Sequence, residues 1–263
     1  MPAIDLKNIT VSFDGGGGLR NLSWRVERGE RWFILGTNGA GKTTLVKVIL
    51  GMLWARAGGE VSVLGCRYGT DNLLAARRKI AWASPFMPEW ISGGNDALSV
   101  LQVVLTGADA TFDLYRPPAA AAVSRAETAL ATLNAAALRD KLFAKCSSGE
   151  QVKTLIARAM MIEPELMILD ETCVHLDLPS REILLRSVDA LAQRRPATTL
   201  ILVTHRLEEI TPTFTRGLLL HDGQIAAQGA RATILTPENL RAAFGLNLRL
   251  VAGAGGRLWP VVE

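Results

Sequence analysis

Nine consecutive residues, Gly36-Thr37-Asn38-Gly39-Ala40-Gly41-Lys42-Thr43-Thr44, carry the spacing of a phosphate-binding loop. Glycines let a backbone curl so that successive N–H groups turn inward, where they can donate to phosphate oxygens. A helix that starts in such a loop adds partial positive charge at its N-terminus. Lys42 is placed to reach the β- and γ-phosphates of a nucleotide, and the Thr43 hydroxyl to ligate Mg²⁺. The flanks fit this reading. Arg31–Leu35 is predicted as a buried strand and Leu45–Leu50 as the start of a helix. With strand, glycine loop and helix in that order, a fortuitous glycine-rich turn is the weaker reading.

Four further segments carry chemistry. The apolar run Leu166-Met167-Ile168-Leu169 ends in Asp170-Glu171, so a strand would present two carboxylates at its C-terminal edge. Asp170 is then a candidate Mg²⁺ ligand through water, and Glu171 a candidate to orient or deprotonate an attacking water. The bland alternative is two acids capping a strand end. Cys146-Ser147-Ser148-Gly149-Glu150-Gln151 opens a predicted helix, Val152–Met161. Ser147 as N-cap with Glu150 three residues later makes a capping box, and an exposed helix start with Ser147 and Gly149 is also an anion site. Thr204-His205 follows the predicted strand Leu200–Val203, where a histidine can hydrogen-bond a γ-phosphate. His175 and His221 lack such a context and read as surface or packing residues. Phe13, upstream of the loop, either stacks on adenine or packs as a core aromatic.

These residues need a scaffold. Strands are predicted at Ile4–Phe13, Leu19–Val26, Glu60–Val63 and Ile80–Ala83, with a helix over residues 70–79. From Pro85 to about Ser148 alternation stops and alanine-rich helical stretches take over, broken at Pro117-Pro118. The continuous apolar runs at 166–169 and 200–203 mark strands buried on both faces of a parallel sheet. Asp222-Gly223 signals a hairpin over Leu218–Ala227, and a helix (Pro237–Phe244) and a last hairpin around Gly253–Gly256 follow. The expected fold is α/β: a P-loop NTPase core with a mixed parallel sheet, an N-terminal antiparallel β subdomain and an inserted helical subdomain at about 86–150. The expected division is 1–229 for this domain and 230–263 for a small appendage.

Bulk properties exclude little but are consistent. At 263 residues and 49% apolar the chain can bury a full core. Its net charge of +4 suits an anionic ligand or nearby anionic lipid without forming a nucleic-acid stripe, and no direct nucleic-acid partner is expected. No apolar run is long enough to cross a membrane, no secretory signal is visible at the start, and Cys66, Cys146 and Cys173 are too scattered for a Cys-x-x-Cys pair, so they read as reduced core residues.

Taken in this order, the phosphate loop, Ser147 to Gly149, the Leu169-Asp170-Glu171 strand end, Leu176-Asp177 and His205 resemble the ATP-binding cassette (ABC) ATPase family over about Ile4 to Gly229. No Asn-Lys-x-Asp guanine motif follows the loop. The resemblance implies an ATP hydrolase that uses Mg²⁺ and forms a head-to-tail homo- or heterodimer holding two ATP at its interface. One subunit would supply the loop, Asp170, Glu171 and His205. The other would supply Ser147 and Gly149 to the γ-phosphate, with Asp177 linking the two sites. Four positions depart from the family. Ser84-Pro85 stands where glutamine is usual, so Ser84 is taken as a hydroxyl ligand for Mg²⁺. Cys146 replaces leucine, Glu150 replaces glutamine, and Thr172 replaces proline. Ser84-Pro85 and Ser-x-Gly-Glu-Gln are similar to a molybdate-transport-like branch.

The function this implies is the ATPase subunit of a membrane transporter, cytoplasmic and peripheral on the inner face of the membrane, working with transmembrane permease subunits and a possible substrate-binding protein. Phe86, Met87, Pro88, Trp90 and Ile91 would be a docking patch for the permease, or would pack the helical subdomain. The alternatives are a soluble ABC ATPase in DNA repair, translation or regulation, and a nucleotide-binding scaffold with a weak site.

Overall fold

A computed structural model describes residues 1–85, 87, 97–111, 113–174 and 176–263. In chain order its elements begin with strands β1 (Ile4–Ser12), β2 (Gly18–Val26) and β3 (Arg31–Leu35), helix α1 (Lys42–Ile49), β4 (Glu60–Val63), β5 (Cys66–Arg67), α2 (Leu73–Arg77) and β6 (Ile80–Ala83). The middle holds α3 (Val100–Thr106), α4 (Ala120–Thr132), α5 (Ser148–Ala159), β7 (Leu166–Asp170) and α6 (Leu178–Arg194). Then come β8 (Thr199–Thr204), β9 (Arg216–His221), β10 (Gln224–Ala230), α7 (Arg231–Ile234), α8 (Pro237–Phe244), β11 (Leu248–Ala252) and β12 (Leu258–Val262). Contacts divide the chain into two compact units, residues 1–76 with 195–263, and residues 77–194. Among the described residues, no helix is long and apolar enough to cross a membrane.

In the first unit, β1 pairs antiparallel with both β2 and β4, and β4 with β5. Ile4, Leu6, Ile9 and Val11 of β1 are buried while Lys7 and Ser12 are exposed, the period-2 pattern of a sheet with one covered face. A second sheet places β3 between β8 and β9, parallel to both, with β10 antiparallel on β9. Strand β3 is flanked on both edges, and Trp32 to Leu35 are all buried, which is why it reads as an unbroken apolar run. Its Phe33 lies beside Gly217 of β9 in register. A Cβ added at Gly217 would sit 2.1 Å from the Phe33 ring, so the glycine is the space the ring occupies. We expect Gly217→Ala to destabilise the protein by about 1–3 kcal/mol through overpacking, read as a lowered urea midpoint. An unmoved midpoint would mean that the ring can turn aside.

In the second unit, β6 and β7 run parallel, with Ala83 opposite Leu169. Between them the described chain is helical or irregular apart from one isolated bridge, Ser99 to Leu142. The segment expected to form an inserted helical subdomain lies in this unit. Helix α3 opens with a capping box formed by Ser99 and Gln102. Arg158 of α5 is buried, donating to Thr106 Oγ1 at 2.9 Å and to the Thr111 carbonyl at 2.7 Å. Burial pushes its pKa down to about 10, so the guanidinium stays charged at neutral pH.

Two expectations change and one open alternative is decided. Helix α2 is shorter than residues 70–79, because the Asp71 carboxylate accepts from Arg67 N–H and Asn72 Oδ1 from Leu74 N–H; those side chains offer the backbone a turn instead. Cys66 is half-buried on the two-residue strand β5 rather than in the core, whereas Cys146 and Cys173 are buried, and all three are free thiols. Met87, a candidate for an exposed docking patch, is buried with its sulfur 3.6 Å from Arg158 Nη1. Phe86, Pro88, Trp90, Ile91 and His175 lie outside the described residues.

Candidate functional site

The phosphate-type loop is built between β3 and α1 as its residue types require. Gly41 caps α1 at φ 100°, a left-handed conformation that costs glycine little. Lys42 is only 4% exposed, and its Nζ donates to the carbonyls of Gly36 and Thr37 at 2.9 Å each. The ammonium is thus folded back along its own loop. Asn38 and Gly39 are exposed, Ala40 is buried, and Thr37, Thr43 and Thr44 are half-buried. The loop is braced from a distant turn. Gly223, at φ 72° in the β9–β10 turn, donates its N–H to Ala40 O at 3.0 Å and accepts from Arg20 N–H at 2.8 Å. A Cβ on Gly223 would meet Gly18 O at 2.4 Å. Around this junction a cavity of about 270 Å³ is lined by Gly17, Gly18, Arg20, Gly39, Asp222 and Gly223. The role of Gly18, Arg20 and Gly223 escapes a sequence reading, although four consecutive glycines and an Asp-Gly turn are local hints.

Phe13, just past β1, is 44% exposed, which rules out the core-aromatic reading and leaves its face accessible for stacking. His205 is half-buried directly after β8. Its preceding neighbour, Thr204, donates its hydroxyl to the buried Glu209 carboxylate and accepts from Arg206 N–H at 3.0 Å. His221, read as a surface or packing residue, is half-exposed and pairs Nδ1 with Ala243 O at 3.1 Å.

The remaining candidates belong to the second unit. Asp170 is fully buried at the end of β7, and Ser84, 1% exposed, follows β6. They come one step beyond the register pair Ala83–Leu169, and Ser84 Oγ lies 3.5 Å from Asp170 Oδ2. Glu171 takes φ 53°, a conformation that costs a non-glycine residue of order 1–3 kcal/mol and is concentrated at functional sites.

Ser147 caps α5 and completes the capping box with Glu150. Glu150 Oε2 accepts from Ser147 N–H at 2.7 Å and from Lys141 Nζ at 2.7 Å. The Lys141 ammonium, followed by the Ser147 N–H, holds the Glu150 carboxyl below the usual carboxylate range. A glutamate where the resemblance expects glutamine therefore keeps the cap and has its charge countered locally. A cavity of about 460 Å³ brings together Ser147, Gly149, Lys153 and Asp177. Asp177 accepts from Ser180 N–H at 3.0 Å, and the Ser180 hydroxyl and amide hold its carboxyl ionised to lower pH than usual. Lys153 was not among the sequence candidates; its spacing of four from Gly149 puts both on one helix face.

The donors assigned to Mg²⁺, the hydroxyls of Thr43 and Ser84 and the carboxylate of Asp170, are all hard oxygens, as that ion prefers. Among the described residues no group of three or more His, Cys, Asp or Glu forms a metal cage. Mg²⁺ ordinarily takes only one or two protein carboxylates beside phosphate oxygens and water, and these residue types suit that mode.

Residues 19–174 match the sequence profile of the family described as ABC transporter. An ABC transporter ATP-binding protein of Streptococcus mutans is 37% identical over 240 residues, covering 91% of each chain. The manganese transport system ATP-binding protein MntB of Bacillus subtilis is 28% identical, covering 92% of each. Among solved structures, an inward-facing ABC transporter assigned to the metal-chelate type superposes with a TM-score of 0.77 at 26% identity, covering 99% of this chain and 98% of its own. The similarity is to transport ATPases and not to the soluble alternative. With a phosphate loop, an Asp-Glu strand end and a capped Ser-x-Gly helix all in place, the chain belongs to the ABC transporter family, as an ATP-binding, ATP-hydrolysing subunit.

Proposed function

We propose that this subunit closes head-to-tail on a second ABC ATPase subunit, identical or homologous, around two Mg-ATP. Their hydrolysis then drives separate transmembrane permease subunits. The observation that carries the reading is Lys42 buried within a glycine loop that opens helix α1. The N–H groups of residues 36–44 and the Lys42 ammonium bind the β- and γ-phosphates, and Phe13 stacks on adenine. Thr43, Ser84 and, through water, Asp170 would hold Mg²⁺, which would neutralise charge on the phosphates. Glu171 orients the attacking water and takes its proton, and His205 hydrogen-bonds the γ-phosphate. Water oxygen bonds to the γ-phosphorus, the bond to the bridging oxygen breaks, and ADP and phosphate leave.

Ser147 and Gly149 face the γ-phosphate held by the opposite subunit, and Asp177 links the two sites. A phosphate gripped from both sides favours the closed pair, and its loss removes the bridge. The subunit sits at the cytoplasmic face of the membrane through its permease, with a substrate-binding protein as a further partner for import. The relatives MntB and the metal-chelate type transporter support a metal ion or metal chelate as cargo. The narrower likeness through Ser84-Pro85 supports an oxyanion such as molybdate as the second reading.

In proteoliposomes holding the full chain and its co-purified permease, we expect Mg-ATP hydrolysis. Metal ion or chelate, supplied with the binding protein, should raise it and molybdate should not. Stimulation by molybdate alone reverses the choice of cargo, and no phosphate release under any condition overturns the function.

A further inference from the structure

We infer that the C-terminal hairpin β11–β12 holds His205 in place, with Arg257 as the positioning residue. This rests on the ATPase reading above, in which His205 contacts the γ-phosphate. All the residues involved lie within the first unit. The residues on either side of His205 converge on one buried carboxylate: Arg206 N–H donates to Thr204 Oγ1, which donates to Glu209 Oε2 at 2.5 Å. Glu209 closes the 3₁₀ turn Leu207–Glu209 and is 1% exposed. The middle residue of that turn, Glu208, gives its carbonyl to Arg257 Nε at 2.8 Å.

Arg257 is itself fixed before it reaches the turn. Its guanidinium lies 5.2 Å from the Trp259 ring centroid, a cation–π distance. Its carbonyl accepts from Gly253 N–H at 2.9 Å. The adjacent Gly256 carbonyl accepts from Arg231 Nη2 at 2.8 Å. A planar cation stacked on an indole loses little freedom when it binds a carbonyl.

The turn it holds is a single 3₁₀ turn. Its backbone bonds are Ile210 N–H to Leu207 O at 3.0 Å and Glu209 N–H to Arg206 O at 3.4 Å, the poorer geometry of a 3₁₀ segment. Releasing the Glu208 carbonyl frees the turn to shift. The Glu209 carboxylate moves with it, and then Thr204 and the imidazole beside it. A histidine that must meet one phosphate oxygen tolerates little displacement.

The test is steady-state ATP hydrolysis by the full chain. Arg257→Ala should lower kcat roughly tenfold, short of the ~100-fold that a 1 Å misplacement can cost. KM for ATP should stay within about twofold, since the 36–44 loop is untouched. Arg257→Lys, which keeps a donor, should recover most of the loss. Placed in a His205→Ala background, Arg257→Ala should remove nothing further. The rise in melting temperature on adding Mg-ATP shows that each variant is folded. If Arg257→Ala is not, Trp259→Leu, which removes the ring under the guanidinium, carries the test: a kcat loss that vanishes in the His205→Ala background supports the inference, and an unchanged kcat overturns it. An unchanged kcat in Arg257→Ala, or the same fractional loss with and without His205, overturns the inference while leaving the ATPase reading intact. A wild-type chain that leaves Mg-ATP uncleaved removes that reading, and this inference with it.

Discussion

Glu171→Gln is expected to cut ATP turnover by about 10²–10⁴-fold, the span a general base contributes, while ATP binding persists and the protein elutes as an ATP-dependent dimer. The amide has the carboxylate's shape and can still hold a water by hydrogen bonding, but it cannot take the water's proton. The backbone places this side chain with some force: Glu171 follows the buried strand end Leu169-Asp170 and adopts φ 53°. Strain of order 1–3 kcal/mol persists only where the surroundings over-determine it. An uncleaved γ-phosphate keeps both subunits engaged, so the closed pair accumulates. Size-exclusion chromatography with Mg-ATP, beside phosphate release, decides the matter. A Glu171→Gln chain that hydrolyses at the parent rate excludes Glu171 as the base. One that neither hydrolyses nor dimerises favours a scaffold subunit with a weak site.

Much of the site's scaffold is legible in the chain because it is local. Arg31–Leu35, Glu60–Val63, Ile80–Ala83 and Pro237–Phe244 form elements at the bounds their patterns predict. Each is an apolar or periodic run cut off by glycine, proline or a capping side chain. The Ser147–Glu150 capping box is legible for the same reason, since its two partners are three residues apart.

What stays hidden is either side-chain accessibility or pairing over distance. Phe13 at a strand end suits stacking or packing until its exposure is known, and Met87 in an apolar run suits docking or packing until its burial is known. Gly223 meets Ala40 and Arg20 across almost the whole chain, and Arg257 meets Glu208 from a tail with no motif of its own. Local pattern carries no trace of such contacts, because loop closure leaves the intervening sequence free to vary. Glu150 illustrates the opposite error. As a departure from glutamine it suggests a weakened motif, yet Lys141, nine positions upstream, neutralises it.

Lys42→Ala should lower turnover by about 10²–10³-fold, the cost of deleting one preorganised charge from a transition-state site, and should abolish the rise in melting temperature that Mg-ATP gives the parent. The second readout follows from linkage: a ligand stabilises by RT ln(1 + [L]/Kd), and removing a charge-assisted donor raises Kd. The fold itself should survive. Lys42 Nζ serves two carbonyls, of which Thr37 O also accepts from Ala40 N–H at 3.2 Å. Gly36 O then needs a new donor, at about 1–3 kcal/mol. Lys42→Arg should not restore activity. At 4% exposure the loop encloses a slim ammonium, and a planar guanidinium neither fits that space nor reproduces its point charge. Calorimetric scans of the three proteins with and without Mg-ATP separate the outcomes. If Lys42→Ala keeps the full nucleotide-dependent shift, phosphate is held elsewhere and the 36–44 loop is only a turn.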